Sequence, residues 1–221
     1  MISVAIDGPA GAGKSSIAKL AAAELGYIYI DTGALYRSIG LFCINQSVDI
    51  HDKNAVVSAL DKMEINIIFK DQEQRVILND KDVSDEIRTE EVSRTASVVS
   101  AIPEVRAFLL SLQRSFAEKN NVIMDGRDIG TVVLPEAQVK IFLTASPEER
   151  AARRTKQLEE KGITADYNQI LKDIIERDYN DSHRETAPLK PASDSVTVDT
   201  TNLSFEQSVA RITELIKESA E

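Results

Sequence analysis

The sequence predicts an α/β fold: a doubly wound, five-stranded parallel sheet carrying an inserted subdomain with a small antiparallel sheet, and a helical lid. Three observations predict it. Five short apolar, β-prone runs (Ile2–Ile6, Tyr27–Ile30, Val122–Met124, Val139–Leu143 and Val196–Val198) are separated by helical patterns. Several runs end in an acidic or polar residue (Asp7, Asp31, Asp125, Thr144, Asp199), at the strand ends where ligands collect in such sheets. A glycine-rich turn joins the first run directly to the first helical pattern.

That turn specifies a chemistry. Gly8, Pro9, Ala10, Gly11, Ala12, Gly13, Lys14 and Ser15 match the phosphate-binding pattern G-x-x-x-x-G-K-[ST] in full, and Ser16 follows them. The glycines let the backbone pass close to a phosphate chain with its N–H groups inward. Lys14 is the residue that reaches the β- and γ-phosphates, and the Ser15 hydroxyl is the candidate Mg²⁺ ligand. The next helix, striped by Ile17, Ala18, Leu20, Ala21, Ala22 and Leu25 and closed by Gly26, adds its positive N-terminal dipole. The pattern and its strand–loop–helix setting predict a protein that binds a nucleoside triphosphate with Mg²⁺.

The gap between the second and third runs is long and holds a small β unit. Ile65–Phe69 and Arg75–Leu78 flank a polar connection, Lys70–Gln74, and Asn79-Asp80-Lys81 makes a second turn. The expected division is a core of residues 1–37 and 101–221 and an insertion of residues 38–100. A helix is expected from Pro103 to about Glu118, and a charged one from Pro147 to about Lys161, closed by Gly162, within a lid of about 147–165.

Composition narrows the function. The 221 residues carry a formal net charge of −10, which argues against non-specific nucleic-acid binding. No run is long enough to span a membrane, and no signal peptide is evident. One cysteine, Cys43, precludes an intrachain disulfide and fits a reducing, cytoplasmic setting with a core-packing role. His51 and His183 have no partner at metal-ligand spacing. No heptad or self-association patch is evident, so monomer is the expectation.

In so acidic a chain, clustered arginines stand out. Asp31-Thr32-Gly33-Ala34-Leu35-Tyr36-Arg37 follows the second run and places Thr32 and Arg37 near the phosphate loop's mouth. Asp125-Gly126-Arg127-Asp128-Ile129-Gly130-Thr131 follows the third; charges packed between glycines at a strand end need partners, and a ligand is one. Arg150, Arg153 and Arg154 share a helix face, either as a solvated surface with Glu149 serving Arg153 or as lid arginines reaching a transferring phosphoryl group. Arg177, Asp181 and Arg184 share another.

Together the stretches IDGPAGAGKS, DTGALYR, SDEIRTEEV, DGRDIGTVV, VKIFLTASPEERAARR and ERDYNDSHRETAPL resemble the bacterial cytidylate kinases, which are nucleoside monophosphate kinases, almost end to end. The resemblance implies ATP-dependent phosphorylation of CMP and dCMP, and makes the insertion the monophosphate-binding subdomain. It implies that Ser97, Arg106 and Asp128 read the cytosine edge, with Thr32 and Tyr36 near the acceptor nucleotide; Thr32 stands where some relatives carry serine. It further implies that Arg37, Arg127 and Arg184 hold the acceptor phosphate and that Arg177 and Asp181 meet the ribose. Lys14, Arg127, Arg150, Arg153, Arg177 and Arg184 become the expected catalytic cations, with Arg154 on the donor side. A P-loop kinase of another small acceptor is the alternative; it needs neither the long insertion nor DGRDIGT. A guanine-nucleotide switch is disfavoured because no Asn-Lys dipeptide occurs.

Overall fold

The structure, a computed structural model, describes residues 1–70 and 73–220. Chain packing divides it into two compact units, residues 1–29 with 121–221, and residues 30–120. The second unit is wider than the expected 38–100 insertion, because helices on either side of the β unit pack with it.

The first unit carries most of a five-stranded sheet. In chain order its elements are β1 (Ser3–Asp7), α1 (Lys14–Leu25) and β2 (Ile28–Asp31, whose last residues open the second unit). After the second unit come β6 (Val122–Gly126), β7 (Val139–Thr144), α6 (Pro147–Glu160), α7 (Tyr167–His183), β8 (Val196–Asp199) and α8 (Phe205–Ala220). The strand order is β2-β6-β1-β7-β8. β1 runs parallel to both β6 and β7, and β8 parallel to β7. All five expected runs form strands within a residue or two of their expected ends. β1 is central, so its carboxyl end opens between strands whose connections leave to either side.

One sheet face is sealed by α1 and α8. Val4, Ile6, Ile123, Ile141 and Leu143 meet Ile17, Ala21, Ile212 and Ile216 in one buried cluster. Each such aliphatic side chain contributes roughly 1.5–3 kcal/mol by leaving water. Gly26 ends α1 in the left-handed conformation, φ 69°, and its N–H bonds the Ala22 carbonyl.

The second unit contains α2 (Thr32–Asn45), α3 (Lys53–Leu60), an antiparallel sheet, a 3₁₀ turn (Glu86–Arg88), α4 (Glu90–Val99) and α5 (Pro103–Lys119). The sheet is β3 (Ile65–Lys70), β4 (Glu73–Leu78) and the two-residue β5 (Lys81–Asp82). Alternation buries Ile65, Ile67, Val76 and Leu78 on one face. The expected turn at Lys70–Gln74 includes Asp71 and Gln72, which lie outside the described residues. α2 crosses α4 closely at Gly40, where a Cβ would lie 3.1 Å from the Ala96 nitrogen. Cys43 is fully buried on α2. Among the described residues, no single helix is long and apolar enough to cross a membrane.

Candidate active site

The phosphate loop leaves the carboxyl end of β1 and enters α1. Gly8 has φ 151°, and a Cβ there would fall 1.9 Å from the Leu143 carbonyl oxygen, so only glycine lets β1 pass β7 at this point. Lys14 is buried and donates from Nζ to the Pro9 carbonyl at 2.7 Å. Burial, aided by the Arg127 charge, pushes its ammonium down to about 7, against the pull of Asp125, Asp7 and Asp181. A lysine so placed gains most from an arriving polyanion.

The Ser15 hydroxyl donates to Asp125 Oδ2 at 2.8 Å, and the Tyr29 hydroxyl donates to Oδ1 at 2.8 Å. Asp125 is buried at the end of β6. A loop serine beside a strand-end carboxylate is a hard-oxygen pair that suits Mg²⁺. Among the described residues no cluster of three or more His, Cys, Asp or Glu could hold a metal alone.

After β6 the chain makes a single π-helical turn, Ile129–Val133, with Asp128 preceding it. Asp128 is buried, and its carboxylate lies 3.6 Å from the Arg184 guanidinium. Arg127 pairs with buried Asp181 of α7 at 2.8 Å. Burial works to raise the Asp181 carboxyl, but Arg127, Arg177 and Arg184 together hold it below the usual carboxylate range. Arg184 Nε donates to the Ala187 carbonyl at 2.7 Å, and Ala187 takes a left-handed φ of 50°. The core unit therefore gathers Arg127, Asp128, Asp181 and Arg184 into one charged cluster, with Arg177 contributing its field.

Of the three arginines on α6, Arg150 departs from expectation. It is 2 % exposed. It donates to the carbonyls of Ala145 and Ala10 at 2.9 Å each, and to both oxygens of Asp178 at 3.1 and 2.5 Å. One guanidinium thus ties the phosphate loop, the start of α6 and the middle of α7. Arg153 pairs with Glu149 at 2.9 Å, as its spacing implies, and also donates to the Thr200 carbonyl at 2.8 Å. Arg154 is half-buried on the same helix.

The second unit carries the other expected residues. Asp31 caps α2 by accepting from the Ala34 N–H at 2.9 Å, and its second oxygen pairs with Arg37 at 2.7 Å. Among the described residues Arg37 Nε is buried without a hydrogen-bond partner, a donor available to an anion. Thr32 is buried at the first position of α2, and Tyr36 one turn later lies beneath Arg106, whose guanidinium carbon is 5.5 Å from the ring centroid. Arg106 also donates to the Ser100 carbonyl at 3.2 Å, and Ser97 sits half-buried one turn before Ser100 on α4.

Sequence reasoning did not single out Asp7, Asp125 or Asp178 as site residues. The first two were visible as acidic strand ends. Asp178 carried no signal, because its partner Arg150 is 28 positions away.

Comparison with known proteins shows the family of the chain. The family model for cytidylate kinase matches residues 4–218. The cytidylate kinase of Lactobacillus johnsonii is 52% identical over 217 residues, 98% of this chain and 94% of that protein. That of Carboxydothermus hydrogenoformans is 48% identical over 213 residues, 96% of each. Among solved structures, an uncharacterized protein from Eubacterium ventriosum shares the fold at a TM-score of 0.50 and 14% identity, covering 99% of this chain and 97% of its own. With the family model matched nearly end to end and relatives at half identity over almost the whole length, this chain belongs to the cytidylate kinase family.

Proposed function

We propose that the chain transfers the γ-phosphoryl group of ATP to CMP and dCMP, giving ADP and CDP or dCDP. The observation that carries this reading is the pairing of a full phosphate loop with a buried carboxylate–arginine cluster at the next strand end. The attacking oxygen belongs to a phosphate monoester with a second pKa of about 6, already anionic at neutral pH, so no general base is required. The task is to bring two polyanions into line.

In this reading the loop's N–H groups and Lys14 hold the donor phosphates. Ser15, backed by Asp125, would hold Mg²⁺, which neutralises donor charge when bound. From the core unit, Arg127 and Arg184 bind the acceptor phosphate, Arg177 and Asp181 meet the ribose, and Arg153 and Arg154 serve the donor side. Arg150 acts by fixing the loop carbonyl of Ala10. From the second unit, Arg37 binds acceptor phosphate, and Thr32, Tyr36, Ser97 and Arg106 hold the nucleoside. Asp128 accepts from the cytosine N4 amino group, where uracil would present an O4 acceptor instead. The acidic balance and the single buried cysteine accord with a cytoplasmic monomer acting on small molecules.

The test is ADP release with Mg-ATP and CMP, dCMP, UMP, AMP, GMP or shikimate offered separately. Turnover with CMP and dCMP, and little with AMP, GMP or shikimate, is the expected result. ATP binding without cytidine-dependent turnover would refute the acceptor assignment.

A further inference from the structure

The π-helical turn Ile129–Val133 begins immediately after Asp128, so Asp128 occupies its N-cap position. The first N–H groups of any helical turn lack partners within the turn. Aspartate is among the strongest side-chain caps for them. Yet Asp128 makes no capping hydrogen bond. The two N–H groups are satisfied from 122 and 123 positions away: the Ile129 amide donates to Asp7 Oδ1 at 2.7 Å, and the Gly130 amide to Asp7 Oδ2 at 2.8 Å. Asp7 is 4 % exposed at the end of β1, on the lip of the phosphate loop, and the phosphoryl-transfer chemistry proposed above has no use for it. Its carboxylate spends both oxygens on this turn.

We propose that Asp7 is a positioning residue for acceptor-base selectivity: it caps the turn after Asp128 from outside, so that the Asp128 carboxylate faces the cluster at Arg184 instead of folding back onto its own helix. The inference rests on the reading that Asp128 discriminates the base. Its physical content is a competition. Both carboxylates can reach the Gly130 amide, the second of the turn, and the one borne on β1 holds it together with the Ile129 amide. Remove it, and the neighbouring aspartate is the nearest replacement cap. The turn then survives, and the side chain that reads the base is withdrawn from its post.

This competition predicts an effect that loss of fold would not produce. Asp7→Ala should narrow the ratio of kcat/KM for CMP over UMP by about 10-fold, within the range that one base-edge contact is worth, while the KM for ATP stays within about twofold. Asp7→Asn keeps one acceptor oxygen and should fall between. In an Asp128→Ala background, Asp7→Ala should leave the ratio unchanged, because no carboxylate remains to be redirected. Should Asp7→Ala not fold, Asp7→Asn alone carries the comparison. An unchanged CMP-to-UMP ratio in the Asp7 variants, with Asp128→Ala itself impairing discrimination, overturns the positioning role and leaves the base reading intact. A rise in the KM for ATP equal to that for CMP also overturns it, by assigning Asp7 to the phosphate loop. If Asp128→Ala discriminates as well as the parent chain, the base reading fails and this inference falls with it.

Discussion

Replacing Arg150 by methionine tests what a buried guanidinium does at this site. The substitution keeps an apolar stem of similar reach and deletes hydrogen bonds to the carbonyls of Ala10 and Ala145 and to both oxygens of Asp178. Breaking a buried ion pair by removing one partner costs about 3–5 kcal/mol, chiefly from the charge left behind. The Asp178 side chain is 24% exposed, so water reaches it and offsets part of that cost. A loss of about 2–3 kcal/mol is therefore expected. For a chain of this size that lowers the melting midpoint by about 4–12 °C. Asp178→Asn keeps the shape and one acceptor but leaves the Arg150 charge buried among neutral acceptors, and should cost at least as much, about 2–3 kcal/mol. The assay is thermal and urea unfolding followed by circular dichroism, with the KM for ATP measured alongside. The freed Ala10 carbonyl loosens the phosphate loop, so that KM should rise. If Arg150 instead touches the transferring phosphoryl group, Arg150→Met would lower kcat by roughly 10²–10³-fold. That fall, with a melting midpoint within about 1 °C of the parent chain, would refute the role of Arg150 in fixing the phosphate loop.

Two further perturbations address the loop and its border. Gly8→Ala puts a Cβ 1.9 Å from a β7 carbonyl at a φ of 151°, and should cost about 2–3 kcal/mol while abolishing ATP binding; parent-like nucleotide titration curves would contradict the packing argument. Asp7 has its carboxyl raised from 3.8 to about 6, mainly by burial, with the Asp128 charge adding and the two amides and Lys14 opposing. Its folded-state pKa lies above the unfolded one, so the stability linked to its proton is fully present below 3.8 and lost as pH rises through about 6. Asp7→Asn removes that titration. Its stability relative to the parent chain should therefore rise by about 2 kcal/mol between pH 4 and 7, whatever the constant offset between the two proteins. Parallel stability curves across that window would show that the carboxyl titrates normally.

Most of the sheet and the phosphate loop were legible because their signals are local. A buried parallel strand reads as a short apolar run, and the loop needs particular residue types at fixed spacing. The insertion's hairpin was legible by its alternation, but its boundaries were not. α2 and α5 look like any amphipathic helices until α2 is seen packing on α4 and α3 on α5. Within the site, Lys14, Ser15 and the arginine clusters announced themselves by motif and by charge in an acidic chain. Arg150 did not show its partner: helical spacing grouped it with Arg153 and Arg154, whereas burial under the loop separates it from them.

By itself, the sequence determined the class of fold, the phosphate loop and the residue types that flank it, since backbone propensity, periodicity and motif spacing act over a few residues. Only the tertiary structure decided which charges meet. Asp7 with the amides of Ile129 and Gly130, Ser15 with Asp125, Arg127 with Asp181, and Arg150 with Asp178 are joined across 28 to 123 positions of chain. The physical reason is that a buried polar group must find its partner wherever the sheet's crossovers bring one, and the spacing along the chain carries no record of that choice.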